Sequence, residues 1–194
     1  MKAWPFSPLL PFCADLICID PPWLFDLRSE KGEEKSAQSQ YECMTDDQIL
    51  ALPVGDLVST PAWIFLWVTA PKLPLGIECL TRWGFEYKTN IVWRKIYESG
   101  ADAMGTGYIA RSMHEICLIG ATGRPDREKA IVSVVETMFD GVRREHSRKP
   151  EEFYRLIDEV FAPKHYRRVD IFARQSRPGW EAWGNESSKF DAVA

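Results

Sequence analysis

The chain has 194 residues, of which 45% are hydrophobic and 27% charged, and its formal net charge is −4. This composition is typical of one globular domain, which we predict over residues 1–190, with a tail at 191–194. The five cysteines are odd in number and lack paired C-x-x-C spacing, which argues against a disulfide framework and a zinc cluster. No apolar run is long enough to span a bilayer, and the proline-rich start does not resemble a signal peptide. We therefore expect a cytoplasmic protein with no membrane partner and no metal.

The first predicted strand is the apolar run at residues 15–19. A polar stretch at about residues 24–41 follows, which we predict to be a flexible loop and a substrate lid. Thr45 and Gln48 have the spacing of a capping box, in which each residue bonds the other's backbone. They predict a helix over residues 46–52.

The middle of the chain begins with a continuous apolar run at residues 62–68, as expected for a strand covered on both faces of a parallel sheet. A helix is predicted over residues 72–83, ended by Gly84. The next strand is predicted at 87–93. A glycine-containing stretch at about 97–109 is the second predicted flexible loop.

The last third predicts a strand at residues 115–119, a helix that begins at Pro150, and a final strand at 169–173. The apolar residues on one face of that helix are Phe153, Leu156, Ile157, Val160 and Phe161. Residues after about 187 are expected to be frayed. Alternating strands and helices predict an α/β fold, with a mostly parallel sheet and helices on both faces.

The four residues Asp20-Pro21-Pro22-Trp23 directly follow the first predicted strand. Open α/β sheets bind ligands at the carboxyl ends of their strands, so an acid and an aromatic ring would lie together there. The amine of adenine is a weak nucleophile because its lone pair is delocalised into the ring. The Asp20 carboxylate and the Pro21 carbonyl can accept its hydrogen bonds and localise that lone pair, and Trp23 offers a face for a planar base. The pattern suits methyl transfer to an aromatic amine.

The same tetrapeptide also fits a tight turn that leaves a strand, with Trp23 packed in the core. Two consecutive prolines fix the turn and hold Asp20 extended in either case. The residues by themselves leave both interpretations open.

Four further blocks follow the tetrapeptide in the chain. They are Ile64-Phe65-Leu66-Trp67-Val68, His114-Glu115-Ile116-Cys117-Leu118-Ile119-Gly120, His146-Ser147-Arg148-Lys149-Pro150-Glu151-Glu152 and Gly179-Trp180-Glu181-Ala182-Trp183-Gly184-Asn185-Glu186. From about residue 14 to residue 190, the chain resembles the adenine amino-methyltransferases typified by the eukaryotic mRNA-adenosine methyltransferase, the MT-A seventy-kilodalton subunit family. The resemblance implies catalytic roles for Asp20, Pro21, Pro22 and Trp23, and methylation of adenine N6 with S-adenosyl-L-methionine. It also implies a Rossmann-like class I methyltransferase fold in which the catalytic motif precedes the cofactor motif.

No glycine-rich loop near the amino terminus marks a conventional cofactor site. In the permuted order that the resemblance implies, the cofactor strand is the last one, and the helix at Pro150 leads into it. The dipole and free N–H groups at that helix start, beside Lys149, would hold the methionine carboxylate. The cofactor positions implied are Asp20, Lys149, Phe172, Arg174, Ser176, Asn185 and Glu186, the last two for the ribose hydroxyls. The eukaryotic subunits have Pro-His-Asn where this chain has Gln175-Ser176-Arg177, and Asn-Gln where it has Asn185-Glu186.

A net charge of −4 gives the chain no general attraction for phosphate, but its last third is basic. The cations there include Arg143, Arg144, Arg148, Lys149, Arg155, Lys164, Arg167, Arg168, Arg174 and Arg177. A local basic face and a solvated surface of mixed charge explain this distribution equally well. We expect Trp23, Tyr41, Arg143 and Arg144 to contact nucleic acid.

The leading hypothesis is therefore an adenine N6-methyltransferase that acts on DNA. A homodimer, which we also consider, would double the surface that contacts the DNA. RNA adenine is the first alternative, since the preference for DNA rests on likeness to compact bacterial and phage-like members. Cytosine N4 is a second, which Asp20 disfavours because enzymes of that type usually carry serine there. A catalytically silent nucleic-acid-binding subunit is the alternative from another class. Such subunits typically lose the catalytic acid or the cofactor residues, whereas Asp20, Lys149 and Asn185 are present.

Overall fold

A computed structural model describes residues 3–25, 42–105, 109–126, 131, 133–145, 148–161 and 166–191. Its centre is a seven-stranded sheet with the order β5-β3-β4-β2-β1-β6-β7. The strands are β1 (Ala14–Ile19), β2 (Val58–Val68), β3 (Glu86–Ile96), β4 (His114–Thr122), β5 (Met138–Val142), β6 (Arg168–Ile171) and β7 (Trp180–Trp183). The α-helices are α1 (Asp46–Leu50), α2 (Leu73–Arg82) and α3 (Glu151–Arg155), which continues as a π-helix over Leu156–Phe161. Two short 3-10 helices lie at Val54–Leu57 and Ala70–Lys72.

Strand direction decides which residues meet at one edge of the sheet. β1 pairs in parallel with β2 and β6, β6 with β7, and β3 with β5. β4 runs antiparallel to both of its neighbours, β2 and β3. The first residues of β4 therefore lie at the same edge as the carboxyl ends of the other strands. The predicted mostly parallel α/β fold is confirmed, with β4 as the exception.

The core lies on both faces of the sheet. Along β1, Ile17 and Ile19 pack into one buried cluster with residues of α1 and α2, while Leu16 and Cys18 pack into a second cluster with Phe153 of α3. Side chains alternate between the faces of a strand, so a strand buried on both faces reads as an unbroken apolar run. This explains why β1 and β2 were recognisable from the sequence.

The five predicted strands are confirmed, as are the capping box between Thr45 and Gln48 and the three helices, whose ends differ by one or two residues. The last helix differs most, because Pro150 is its N-cap and the α-helical turn gives way to a π-helix at Leu156. β5 and β7 were missed. Both are short edge strands with polar residues among the apolar ones, so neither gives a continuous apolar run.

Residues 189 and 190 fall in the segment that was expected to be frayed, yet both make backbone hydrogen bonds. The Lys189 N–H donates to the Glu186 carbonyl at 2.9 Å, and the Phe190 N–H donates to the Arg174 carbonyl at 3.1 Å. Residues 184–191 therefore lie against the end of β6. Over the residues that the structure describes, no helix is both long and apolar enough to cross a membrane.

Candidate active site

A cleft opens where the carboxyl ends of β1 and β6 meet the start of α3. Its lining residues are Asp20, Arg148, Lys149, Tyr154, Asp170, Phe172, Ala173, Arg174, Gln175 and Arg177. This is the edge at which open α/β sheets bind ligands. Charged groups of both signs line the cleft, so it suits a ligand that itself carries both charges.

Asp20 is held in place by the way in which β1 ends. Its N–H still donates to the Ile171 carbonyl of β6 at 3.3 Å, and the two prolines after it end the strand. The Pro21 carbonyl accepts a hydrogen bond from the Trp23 N–H at 2.8 Å, and the Pro22 carbonyl accepts one from the Met44 N–H at 2.9 Å. A carbonyl oxygen has two lone pairs, so Pro21 retains capacity for a second donor.

Lys149 connects the Asp20 carboxylate with a second acid. Its Nζ lies 2.5 Å from Oδ2 of Asp20 and 3.3 Å from Oε2 of Glu115, and its side chain is 7% exposed. Lys95 approaches the other oxygen of Glu115 at 2.5 Å. The four side chains therefore form a row of alternating charge, in the order Asp20, Lys149, Glu115 and Lys95.

The charges of this row affect the pKa values of its two acids differently. Burial raises the pKa of Asp20, and the Lys149 ammonium opposes that rise. Burial also acts to raise the pKa of Glu115, but Lys149 and Lys95 together outweigh it and lower that pKa. Of the two acids, Asp20 is thus the better proton acceptor, and Glu115 is the fixed negative charge that neutralises the lysines.

Asp170, in β6, is the acid on the other side of the cleft. The Tyr154 hydroxyl donates to its Oδ2 at 2.9 Å, and the Arg177 guanidinium lies 3.8 Å away. The guanidinium carbon of Arg177 also lies 3.4 Å from the centre of the Tyr154 ring, and Glu151 pairs with the same arginine at 3.1 Å. Burial raises the pKa of Asp170 to about 6, against the lowering effects of the Tyr154 hydrogen bond and the Arg177 charge.

Four of the sequence-predicted cofactor residues, Asp20, Lys149, Phe172 and Arg174, line the cleft together. Asn185 and Glu186 follow β7 at the same edge, and Glu186 pairs with Arg174 at 2.7 Å and with Lys189 at 2.5 Å. Ser176, another predicted cofactor contact, faces away from these residues. It is exposed, does not line the cleft, and its N–H and hydroxyl both donate to Asp191, at 2.7 and 2.6 Å.

Trp23, the predicted stacking residue, is buried. Only 4% of it is exposed, it packs in the core, and its Nε1 donates to the Trp67 carbonyl at 3.1 Å. A ring enclosed in this way presents no open face for a base, which favours the turn-and-core interpretation of this residue. Tyr41, the other aromatic substrate candidate, lies outside the described residues.

Arg143 and Arg144 lie away from the main cleft, on an open second cleft at the end of β5 and the start of α3. Arg143 is exposed, as expected for a substrate contact. Arg144 pairs with Glu151, the same glutamate that holds Arg177. Part of its charge is therefore satisfied within the protein.

Sequence reasoning missed Glu115, Lys95, Asp170 and Tyr154. Glu115 stood in a recognised block but was treated as part of a strand, because the antiparallel direction of β4 is not visible in its sequence. Asp170 carried a detectable signal, since it is the charged residue within the apolar residues 169–173. A buried charge at such a position is unusual unless it is paired or functional.

Comparison with known proteins places this geometry in context. The family model described as MT-A70 matches residues 14–186. The N(6)-adenosine-methyltransferase MT-A70-like protein of Arabidopsis thaliana is 32% identical over 182 residues, covering 88% of this chain and 23% of that protein. The N(6)-adenosine-methyltransferase catalytic subunit METTL3 of Homo sapiens is 29% identical over 186 residues, covering 88% of this chain and 28% of that protein.

A bacterial relative is closer in size. The type II methyltransferase M.MunI of Mycoplasma sp. is 26% identical over 187 residues, which cover 88% of this chain and 76% of that protein. The chain thus spans about a quarter of the length of the eukaryotic relatives and about three quarters of the bacterial one.

Proposed function

Because the chain belongs to the MT-A70 family, we propose that it uses S-adenosyl-L-methionine to methylate the N6 amine of adenine in nucleic acid, with DNA as the preferred substrate. The observation that carries the proposal is the Asp20 carboxylate, held by Lys149 in the cleft at the carboxyl end of β1. The carbonyl of Pro21, the next residue, would supply a second oxygen acceptor, since an amine with two N–H groups can donate to two acceptors.

The residues of the cleft fit the proposed cofactor, which carries an ammonium group, a carboxylate and a positively charged sulfur. Asp20 and Asp170 would face the positive groups. Lys149 and Arg177, the cations on this side of the cleft, would attract the carboxylate, while Asn185 and Glu186 would accept from the ribose hydroxyls. When bound, the cofactor supplies an activated methyl group.

The chain's own contribution is to prepare the amine. When Asp20 and the Pro21 carbonyl accept the two N–H groups, the nitrogen lone pair becomes available for attack on the methyl carbon. Once the amine has accepted the methyl group that the bound cofactor would supply, it would carry one proton too many and would have to lose it. Asp20 is suited to take this proton because burial raises its pKa, while Lys149 keeps the carboxylate ionised beforehand.

The proposed preference for DNA rests on how much of each relative's length the chain covers. The chain covers most of the type II methyltransferase M.MunI but only about a quarter of the N(6)-adenosine-methyltransferases. RNA adenine remains the alternative substrate, because the same acceptors would serve the same amine. A catalytically silent binding subunit is disfavoured by the joint presence of Asp20, Lys149 and Asp170 in the cleft.

The test is transfer of a labelled methyl group from S-adenosyl-L-methionine to single-stranded DNA, duplex DNA and RNA of mixed sequence. Digestion to nucleosides then identifies the methylated base. We expect N6-methyladenine, with more transfer to DNA than to RNA. Label on RNA alone would reverse the substrate preference, and label on cytosine would overturn the assignment of the base. Cofactor binding without transfer to any substrate would support the silent-subunit alternative.

A further inference from the structure

Residues 184–191, which we call the C-terminal clasp, fold back onto the cleft. Besides the hydrogen bond from the Phe190 N–H to the Arg174 carbonyl, the clasp is fastened by Asp191, whose carboxylate accepts from both the N–H and the hydroxyl of Ser176. Glu186 adds an ion pair with Arg174 at 2.7 Å. The clasp is therefore anchored at both ends to the residues that follow β6.

The Phe190 ring lies against two arginines that line the cleft. Its centre is 4.7 Å from the guanidinium carbon of Arg148 and 5.3 Å from that of Arg174. Guanidinium groups at such distances from an aromatic face are attracted to its negative quadrupole. Both guanidinium groups are also bonded to other side chains, Arg148 to Gln175 at 2.6 Å and Arg174 to Glu186.

We propose that Phe190 is a positioning residue that fixes Arg148 and Arg174 in the cleft and thereby sets the affinity for the cofactor. This inference rests on the proposed function, since it takes the cleft to be the cofactor site. An arginine side chain has many rotamers, and holding it in one of them before binding removes that entropy cost from the binding step. Without the ring, both arginine side chains would adopt more rotamers, and Arg174 would no longer be held in one orientation towards Glu186.

A purely structural role would give a different result. If Phe190 only covers apolar surface, a leucine of similar size should replace it, and its loss should lower stability without changing ligand affinity. If the ring itself orients the arginines, leucine should fail and a second aromatic residue should succeed. The side chain is partly exposed and lies at the margin of the fold, so its replacement should leave the core intact.

The experiment measures binding of S-adenosylhomocysteine by calorimetry to the wild type and to Phe190→Ala, Phe190→Leu and Phe190→Trp. We expect the alanine and leucine variants to bind about tenfold more weakly, and the tryptophan variant to bind within about twofold of wild type. In methyl-transfer assays, KM for the cofactor should rise while kcat at saturating cofactor stays within about twofold. Phe12→Ala is the matched control, because Phe12 is 60% exposed and does not line the cleft.

Asp191→Ala provides a second route if Phe190→Ala does not fold, because it releases the clasp while keeping the ring. Asp191→Ala should also weaken the binding of S-adenosylhomocysteine. Wild-type affinity in Phe190→Leu, or unchanged affinity in both Phe190→Ala and Asp191→Ala, would overturn the inference while leaving the proposed function intact. Failure of the wild type itself to bind S-adenosylhomocysteine would instead overturn the proposed function.

Discussion

Asp20 is partly exposed and pairs with the Lys149 ammonium, and the first prediction concerns its carboxylate. Asp20→Ala removes one of the two acceptors for the target amine, and Asp20→Asn replaces a charged acceptor by an amide that also donates. We expect methyl transfer to fall about a hundredfold or more in both variants, while cofactor binding stays measurable. Single-turnover assays with parallel calorimetry separate the two effects. Turnover within about threefold of wild type would contradict the assignment.

Trp23 is expected to matter for folding rather than for stacking. Its ring is buried in the core, and its N–H is bonded to the Trp67 carbonyl. Trp23→Ala should therefore lower the free energy of unfolding by about 3–5 kcal/mol. Denaturant unfolding measures this change. A variant with wild-type stability but impaired use of nucleic acid would instead support a stacking role for this residue.

Asp170 gives the protein a pH dependence whose sign follows from its raised pKa. Burial raises that pKa to about 6 in the folded protein, so the folded state binds this proton more tightly than the unfolded chain does. The ionised acid disfavours folding above pH 6, and the penalty fades as the pH falls towards the unfolded pKa of about 4. Relative to Asp170→Asn, the wild type should gain at most about 3 kcal/mol between about pH 8 and about pH 4.

Unfolding curves of the two proteins across this pH range test the prediction, because other groups contribute equally to both. A difference in unfolding free energy that does not change with pH would show that Asp170 titrates normally.

At the scale of elements, the antiparallel direction of β4 brings Glu115 to the cleft, where it lies between Lys149 and Lys95. Glu115→Gln would leave these two cations with one negative partner fewer in a buried site. Breaking a buried ion pair costs about 3–5 kcal/mol, so we expect the free energy of unfolding to fall by that order. Chemical denaturation provides the measurement.

Glu86→Gln is the matched control for this variant. Glu86 pairs with Lys88, but its side chain is 78% exposed, and exposed pairs contribute about 1 kcal/mol or less. Equal effects of the two substitutions would show that the Glu115 network adds little to stability.

At the scale of the whole molecule, the net charge of −4 must be overcome locally for nucleic acid to bind. Arg143 is the better probe of this surface, because reversal of Arg144 would also break its pair with Glu151. Arg143→Glu should raise the apparent substrate constant and reduce the slope of log affinity against log salt by about one. A salt titration with labelled single-stranded DNA measures both. An unchanged slope would show that this surface is only solvated.

Base extrusion from a duplex costs a few kcal/mol, and the cost is smallest for single strands and mismatches. The described residues belong to one sheet with its covering helices, which offers little binding surface to offset that cost. We therefore expect the chain to act faster on single-stranded DNA than on the matched duplex. The comparison is made by initial rates at equal concentrations of adenine, and a faster rate on the duplex would contradict it.

The amino-acid sequence by itself determined the fold class, the central strands and the position of Asp20-Pro21-Pro22-Trp23 at the end of β1. β1 and β2 are buried on both faces, so each contains an uninterrupted apolar run. The two prolines after Asp20 mark the end of β1. Lys149 was predicted as a cofactor contact because it stands in one of the blocks that carry the resemblance, and Arg174 because it directly follows the last predicted strand. Each of these features depends on residues that are close together in the sequence, so it can be predicted from the sequence alone.

The tertiary structure decided what depends on strand direction and on burial. Only the antiparallel course of β4 places Glu115 beside Lys149, and only the tertiary packing encloses Trp23 and turns Ser176 towards Asp191. The part of the clasp after about residue 187 was expected to be frayed, yet the Phe190 ring lies against Arg148 and Arg174. Contacts between residues far apart in sequence leave no periodic signal, so they are determined by the folded chain as a whole.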